Sequence, residues 1–211
     1  MVFLAKNDSG YRNLLKMLAY AYLETDDSND PYVPLDIMEK YSKGLIALTG
    51  GALGPLGKVI AATQRPLAQT FLKKLQTVFD NRLYMEIQRH GTPEEKATEE
   101  TFLNFAYELE IPIVATNEVY FAERNMYEAH DALICIAEGR YLSQQDRPHK
   151  TPDHYLKSAD EMRSLFADLP EAIENTLVIA QRCAFMVEHV EPILPTYDSG
   201  TEQSEKQELK I

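Results

Sequence analysis

The sequence predicts an α/β fold built around a mainly parallel sheet. Short apolar runs, typical of buried strands, alternate with longer stretches in which apolar residues recur at three- and four-residue steps, typical of helices. Strands separated by helices favour a parallel sheet, arranged either as a barrel or as an open sheet. Only four or five strands are predicted, which is too few for an eight-stranded barrel, so either the sheet is open or strands are missing.

Short apolar runs bounded by turn or cap residues predict the strands. These runs lie at Val2–Ala5, Leu45–Leu48, Leu83–Ile87 and 111–115, and a last strand is predicted at 185–187. The stretch 49–57 follows the second strand and contains four glycines, which predicts a sharp turn of the chain.

Helices are predicted from apolar periodicity and from residues that start or stop a helix. Thr92 is a cap residue, and the acids that follow Pro93 favour a helix N-terminus because they face the positive end of its dipole. Ser158 and Glu161 have the spacing of a capping box, and Gly139 predicts a helix end. The predicted helices cover about 10–23 after cap residues at 7–9, then 35–41, 56–63, 66–79, 92–110, 123–138, a short stretch from 158, and 170–183.

Polar residues follow the strand at 111–115, and the sequence places a candidate site there. Thr116, Asn117 and Glu118 stand at the carboxyl end of that strand. In parallel α/β folds, functional residues collect at the carboxyl ends of strands. Glu86 and Arg89 stand at the same end of the third strand. They are either remnants of a cleft or, on the simpler interpretation, members of a salt bridge or a buried hydrogen-bond network.

Composition limits the classes of function. The chain has a formal net charge of −12 and scattered basic residues, whereas nucleic-acid-binding domains show a basic footprint, so DNA is not favoured as a direct ligand. No apolar run approaches the roughly 20 residues that cross a membrane. The first residues lack the basic start of a signal peptide, and we expect a cytoplasmic protein. Cys135 and Cys183 are expected to be buried free thiols.

Six stretches of the sequence carry a family resemblance. They are FLAKNDSGYRNLLKM, GLIALTGGALG, RLYMEIQRHGTPEE, LEIPIVATNEVYF, HYLKSADEMRSLFADLPEAIENTLVIAQRC and ILPTYDSG. They resemble the polymerase-and-histidinol-phosphatase (PHP) domain of bacterial DNA polymerase III alpha subunits, the C-family replicative polymerases. The resemblance implies a fragment of a distorted seven-stranded β/α barrel, with N-terminal strands missing and a helical C-terminal part. It also implies a partial PHP domain at 1–188 and an acidic tail or linker toward the polymerase palm at 189–211.

The same resemblance implies a degenerate metal site. Active PHP domains are similar to three-metal phosphoesterases, and their last metal motif is typically Asn-Asp-x-His. Here Asn117, Glu118 and Tyr120 stand at the conserved places of that motif, and a cysteine ligand of some relatives falls at Gly51. A phenol is protonated at neutral pH and binds such metals poorly. No residue is therefore expected to be catalytic or to bind a metal, and the candidate remnants of the cleft are Gly51, Glu86, Arg89, Asn117, Glu118 and Tyr120.

Four histidines have simpler interpretations than metal binding. His90 precedes a glycine and is interpreted as a turn residue. His130 is expected to pair with a neighbouring acid in its helix. His149 and His154 lie five residues apart without accompanying cysteines, which is weak evidence for zinc.

The resemblance favours a structural and interaction module. Such a module would support the polymerase core and dock the proofreading exonuclease, in a parent that adds deoxynucleotides to a primed template with two Mg²⁺ ions. The segment itself would need no cofactor, would have no membrane partner and would meet DNA only through the parent. The alternatives are an active PHP-type metal-dependent phosphoesterase and a stand-alone binding protein with an open sheet.

Overall fold

The structure is a computed structural model that describes residues 1–26, 30–144, 146–147 and 149–192. In this part of the chain, four strands form one sheet and eight α-helices surround it. The strands are β1 (Val2–Ala5), β2 (Leu45–Leu48), β3 (Leu83–Ile87) and β4 (Ile113–Ala115). The helices are α1 (Asp8–Leu23), α2 (Leu35–Lys40), α3 (Pro55–Ala61), α4 (Arg65–Phe79), α5 (Pro93–Glu108), α6 (Tyr127–Glu138), α7 (Ala159–Leu165) and α8 (Pro170–Arg182).

The sheet is mainly parallel, as predicted, but one edge strand is not. The strand order is β1-β2-β3-β4, and β3 runs parallel to both of its neighbours. Strand β1 pairs antiparallel with β2, so that Val2 faces Leu48 and Ala5 faces Leu45. The connection between these strands contains two helices, and it returns the chain to the end where β1 finished. A helical connection favours a parallel pair only when it crosses to the opposite end of the sheet.

Both faces of the sheet are buried at β2, β3 and β4, which explains why these strands are largely apolar along their whole length. One face packs on α4 and α5 through Leu72, Phe79 and Phe105. Its strand residues are Leu45, Ala47, Leu83, Met85, Ile87, Ile113 and Ala115. The other face packs on Ile179 of α8. Its strand residues are Ile46, Leu48, Tyr84 and Val114.

The helix starts agree with the cap residues in the sequence. The Asn7 side chain accepts a hydrogen bond from the Gly10 backbone at 2.9 Å. Thr92 and Glu95 form a reciprocal capping box at the start of α5, and Ser158 and Glu161 form another at α7. Each box pairs two backbone N–H groups that would otherwise lack a partner at the helix start.

Two predictions about the second half of the chain need correction. The stretch 185–187 is not a strand: Met186 is 84% exposed, and the Phe185 ring packs on Tyr11 of α1 instead of on a strand edge. β-Branched residues favour a strand only where a sheet edge is within reach. Cys135 is a buried free thiol as expected, but Cys183, at the end of α8, is only half-buried.

Other boundaries differ by a few residues. The helix predicted at 123–138 begins with a 3-10 turn at Arg124–Met126, and Gly139 ends α6 with a φ of 63°. The predicted tail at 189–211 lies outside the described residues from 193 onward. None of the described helices combines the length and the hydropathy that a membrane crossing requires.

Helix α1 lies directly against the chain that enters β2. A Cβ atom added to Gly10 would be 1.9 Å from the carbonyl oxygen of Gly44, and Gly44 itself has a φ of 78°. Two backbones can approach this closely only where side chains are absent. The Gly10–Gly44 contact therefore fixes the distance between α1 and the sheet.

We predict that Gly10→Ala destabilises the fold by about 1–3 kcal/mol, as overpacked sites do, although alanine is the better helix former. Thermal or urea unfolding of the full chain measures the loss. Ser9→Ala, at an exposed neighbouring position, is the control. Equal stabilities of Gly10→Ala and the wild type would contradict the close contact.

Candidate functional site

The carboxyl ends of β3 and β4 meet at one edge of the sheet because the two strands are parallel. Three segments come together there: the turn after β3, the chain after β4 and the irregular stretch 149–157. We call this group of side chains the strand-end cluster. Its members are His90, Glu95, Asn117, Glu118, Tyr120, Lys150 and His154.

Glu86 lies beneath this edge and organises the neighbouring turns. Its buried carboxylate accepts hydrogen bonds from the Thr116 hydroxyl at 2.6 Å and from the Gly50 backbone at 2.9 Å. It also accepts one from the Gln88 amide at 3.2 Å. The interpretation of Glu86 as part of a buried hydrogen-bond network is confirmed.

Gly51 adjoins the same network. A Cβ atom at this position would be 2.4 Å from Oε1 of Gln88, and the backbone has a φ of 62°. The Gln88 side chain therefore fills the space in front of Gly51. A residue with a side chain would meet both this contact and a backbone conformation that L-residues rarely adopt.

Arg89 belongs to a different network, away from Glu86. Its guanidinium donates to Glu99 at 2.5 Å, to Asp168 at 2.6 Å and to the Leu165 carbonyl at 2.8 Å, and it stacks over Phe166. The hydrogen bond to Asp168 is the main reason that the pKa of Arg89 is raised. Arg89 therefore ties the end of β3 to α5 and to the segment after α7, as the salt-bridge interpretation expects.

His90 is a central member of the strand-end cluster and not simply a turn residue, which corrects the sequence interpretation. It is 2% exposed, and its Nδ1 lies 2.7 Å from Oε1 of Glu95. The Glu118 backbone N–H donates to Nε2 at 3.1 Å, so we assign the neutral tautomer with the proton on Nδ1. The sequence feature that could have identified the role of His90 is the nearby capping box, because its Glu95 points back toward the turn that contains His90.

Glu95 is held ionised by this arrangement. Burial alone would raise the pKa of its carboxyl group, but hydrogen bonds from the His90 side chain and from the His90 and Thr92 backbones outweigh burial and lower it. The backbone bonds measure 2.7 Å from His90 and 3.1 Å from Thr92. Glu95 thus caps α5 and orients His90 at the same time.

His154 stacks on His90, and sequence reasoning missed this pairing. The ring centroids are 4.1 Å apart with an interplanar angle of 13°, and His154 is 3% exposed. Burial, followed by the neighbouring His90, lowers the pKa of His154. Its Nε2 lies 3.8 Å from Oε2 of Glu118. Two stacked buried imidazoles of this kind are stable when both are neutral, because two adjacent cations would repel each other.

Asn117 joins the chain after β4 to the stretch 149–157. Its side-chain nitrogen donates to the Tyr155 carbonyl at 2.9 Å, and its oxygen accepts from Nζ of Lys157 at 3.2 Å. That oxygen also lies 3.1 Å from Nε2 of His90, which already accepts from the Glu118 backbone. The amide of Asn117 is therefore engaged with protein groups on both sides.

Glu118 and Tyr120 interact with each other. The Tyr120 hydroxyl donates to Oε1 of Glu118 at 2.6 Å. Lys150 lies 3.7 Å from Oε2 of Glu118 and 4.0 Å from the centroid of the Tyr120 ring. The carboxylate is thus neutralised and hydrogen-bonded by groups of the protein.

Comparison with known proteins identifies the family. The family description "PHP domain" matches residues 1–90. The chain is 46% identical over 210 residues to DNA polymerase III subunit alpha of Caulobacter vibrioides, a match that covers 100% of this chain and 18% of the relative. Over its whole length the chain is similar to a segment of DNA polymerase III alpha subunits. The resemblance drawn from the sequence is confirmed.

Further alpha subunits match over nearly the same length. Identity is 39% over 199 residues with the protein of Rickettsia prowazekii and 35% over 205 residues with that of Vibrio cholerae. These matches cover 94% and 95% of this chain but 17% of each relative. The chain therefore spans less than a fifth of the length of the alpha subunits and corresponds to a segment of their PHP region.

His130 and His149 lie outside the strand-end cluster. The prediction that His130 pairs with an acid is wrong, because Asp131 forms a buried ion pair with Arg147. Consecutive residues of a helix project in different directions, and the His130 ring lies beside Tyr120 and Phe121 instead. His149 lies 4.0 Å from Asp131, whereas His154 belongs to the strand-end cluster.

In the described part of the chain, no group of three or more His, Cys, Asp and Glu side chains is arranged to hold a metal ion. The donor groups of the strand-end cluster bind one another: Nε2 of His90 accepts from the backbone, and Glu118 accepts from Tyr120. The residues present do not fit the metal centre that active PHP domains imply. What the arrangement does is to join three segments through a hydrogen-bonded cluster.

We predict that Glu95→Gln destabilises the chain by about 2 kcal/mol at pH 7, because it weakens charge-assisted hydrogen bonds to a buried histidine. The folded pKa of Glu95 lies below its ordinary value of 4.5, so its contribution is present above pH 4.5 and is lost as the pH falls through the folded pKa. The stability difference between wild type and variant should therefore shrink below about pH 4.5.

Chemical denaturation at several pH values measures this difference. Glu94→Gln is the matched control, since Glu94 is exposed in the same helical turn. A constant difference between wild type and Glu95→Gln from pH 7 to pH 3 would contradict the assigned role of Glu95.

Proposed function

We propose that this segment is a structural and interaction module of a replicative DNA polymerase, whose parent subunit adds deoxynucleotides to a primed template with Mg²⁺. The observation that carries this proposal is the self-contained bonding of the strand-end cluster. Glu118, the only acid of the matched metal motif, accepts the hydroxyl of Tyr120 and faces the ammonium of Lys150. Side chains that bind one another position loops, whereas a catalytic site needs groups aimed at a substrate.

The proposal includes a degenerate PHP metal site. A metal ion at Glu118 would have to displace the Tyr120 hydroxyl, and Gly51 offers no donor where some relatives have cysteine. In the same proposal, residues 1–188 form part of a seven-stranded barrel that further strands of the parent complete. Residues 189–211 then lead toward the polymerase palm.

Exposed apolar side chains support an interaction role. Helix α1 presents Leu15, Leu18 and Tyr22 to solvent, three residues at helical spacing, and Tyr22 is 70% exposed. Helix α6 presents Leu133 and Ile136 in the same way. Exposed apolar groups of this kind mark surfaces that other protein segments cover. The proposed partners are the rest of the alpha subunit and its proofreading exonuclease, in the cytoplasm, with DNA contacted through the parent.

An active phosphoesterase is the second candidate. One observation favours it: two buried histidines and a carboxylate meet at the carboxyl ends of parallel strands, where α/β enzymes place their sites. Metal analysis of a full-length relative separates the two proposals. Stoichiometric zinc or manganese in the PHP region would favour the enzyme.

We predict that Tyr120→His alone gives no metal-dependent phosphatase activity. One imidazole does not complete a donor set when Gly51 and the hydrogen-bonded His90 supply no free ligand. The measurement is hydrolysis of a chromogenic phosphomonoester with added Mn²⁺ or Zn²⁺. Wild type and Tyr120→Phe are the controls, and turnover specific to Tyr120→His would contradict the degenerate-site proposal.

We also predict that the 211-residue chain unfolds at a lower temperature than the same segment within a full alpha subunit, or self-associates, since its exposed apolar surfaces would be covered in the parent. Leu18→Lys together with Tyr22→Lys should reduce the apparent mass in size-exclusion chromatography. Thr70→Lys with Thr77→Lys adds the same charge to exposed positions of α4 and is the control. A monomeric, strongly stable wild-type chain would count against the interaction module.

A further inference from the structure

Lys150 occupies an unusual position for a lysine. Its side chain is 23% exposed, and its ammonium lies 3.7 Å from Oε2 of Glu118 and 4.0 Å from the centre of the Tyr120 ring. Lysine side chains are mostly exposed unless they are paired. Here the ammonium has both an anionic partner and an aromatic face, the two kinds of group that attract cations in proteins.

Lys150 is also the ammonium partner of this carboxylate. In the described part of the chain, the ion-pair contacts of Glu118 are with Lys150 and His154. Burial lowers the pKa of His154, which keeps that imidazole neutral near pH 7. The charge of Glu118 is therefore balanced by Lys150 and not by the histidine.

The surrounding backbone holds Lys150 in place. The Tyr120 N–H donates to the His154 carbonyl at 2.9 Å, and the Leu156 N–H donates to the Phe121 carbonyl at 3.0 Å. These bonds align the stretch 149–157 with the chain after β4. Thr151 follows Lys150 in the sequence, and its hydroxyl donates a hydrogen bond to the His90 carbonyl at 2.7 Å. The ammonium group of Lys150 therefore extends from a segment that is hydrogen-bonded to its neighbours.

We propose that Lys150 is the resident cation of the strand-end cluster. Its ammonium balances the charge of Glu118, as divalent ions would in a metal-bound PHP domain. The inference rests on the proposed structural role of the cluster and adds the residue that makes a metal unnecessary. It also explains Tyr120: a phenol offers an aromatic face to the ammonium and a hydroxyl donor to the carboxylate, whereas an imidazole in that place would serve a metal.

A double-mutant cycle on the full chain tests the proposal with Lys150→Met and Glu118→Gln. We expect Lys150→Met to lower the melting temperature by about 2–4 °C, the range for a modest loss in a chain of this size. Most of that shift should disappear in the Glu118→Gln background. Lys150→Arg keeps the charge and should retain most of the wild-type value. Equal shifts in both backgrounds would overturn the proposal.

A Mn²⁺ titration supplies an independent readout. Free Mn²⁺ is followed by electron paramagnetic resonance, and we expect the wild-type chain to leave the signal of equimolar Mn²⁺ essentially undiminished. Binding of one Mn²⁺ per chain, lost in Glu118→Gln, would overturn the resident-cation proposal. Metal-dependent turnover of a phosphomonoester would overturn the proposed structural function as well. Additive shifts without Mn²⁺ binding or turnover would overturn only the role of Lys150.

Discussion

The hydrogen bonds of His90 connect the parts of the chain on which the candidate site depends. Its Nδ1 is bound to Glu95 at the start of α5, its Nε2 to the backbone of Glu118 after β4, and its carbonyl oxygen to Thr151. These partners come from three separate segments. Because His90 is buried, each lost hydrogen bond would leave a polar group without water, which is the costly outcome. His90 therefore holds these three segments in place, two through its neutral imidazole and the third through its backbone carbonyl.

Two separate hydrogen-bond networks begin near the end of β3, one at Glu86 and one at Arg89. Glu86 binds the turn at Gly50 and the hydroxyl of Thr116, whereas Arg89 binds α5 and the segment after α7. Residues that sequence position alone would assign to one cleft thus stabilise two different junctions. A site whose buried polar groups mostly bond to one another is held in one arrangement, which suits the proposed supporting role.

Local signals in the sequence predicted the elements, and distant contacts decided the site. Strand runs such as Leu45–Leu48 and caps such as Thr92 were visible because their partners lie within a few residues. The antiparallel pairing of β1 was not, since it depends on how two helices return the chain. His154 and Lys150 meet Glu118 across more than thirty residues of chain, and no periodicity or motif encodes such a contact. The family resemblance identified the motif around Glu118, whereas the contact between Glu118 and Lys150 is visible only in the structure.

The touching backbones of Gly10 and Gly44 restrict how this fold can diverge during evolution. Any side chain at either position would push α1 outward, and the apolar surface that α1 carries would move with it. A lineage can therefore replace either glycine only together with changes that accommodate a shifted α1. Two glycines without functional groups thereby limit which substitutions the surface of α1 can accept.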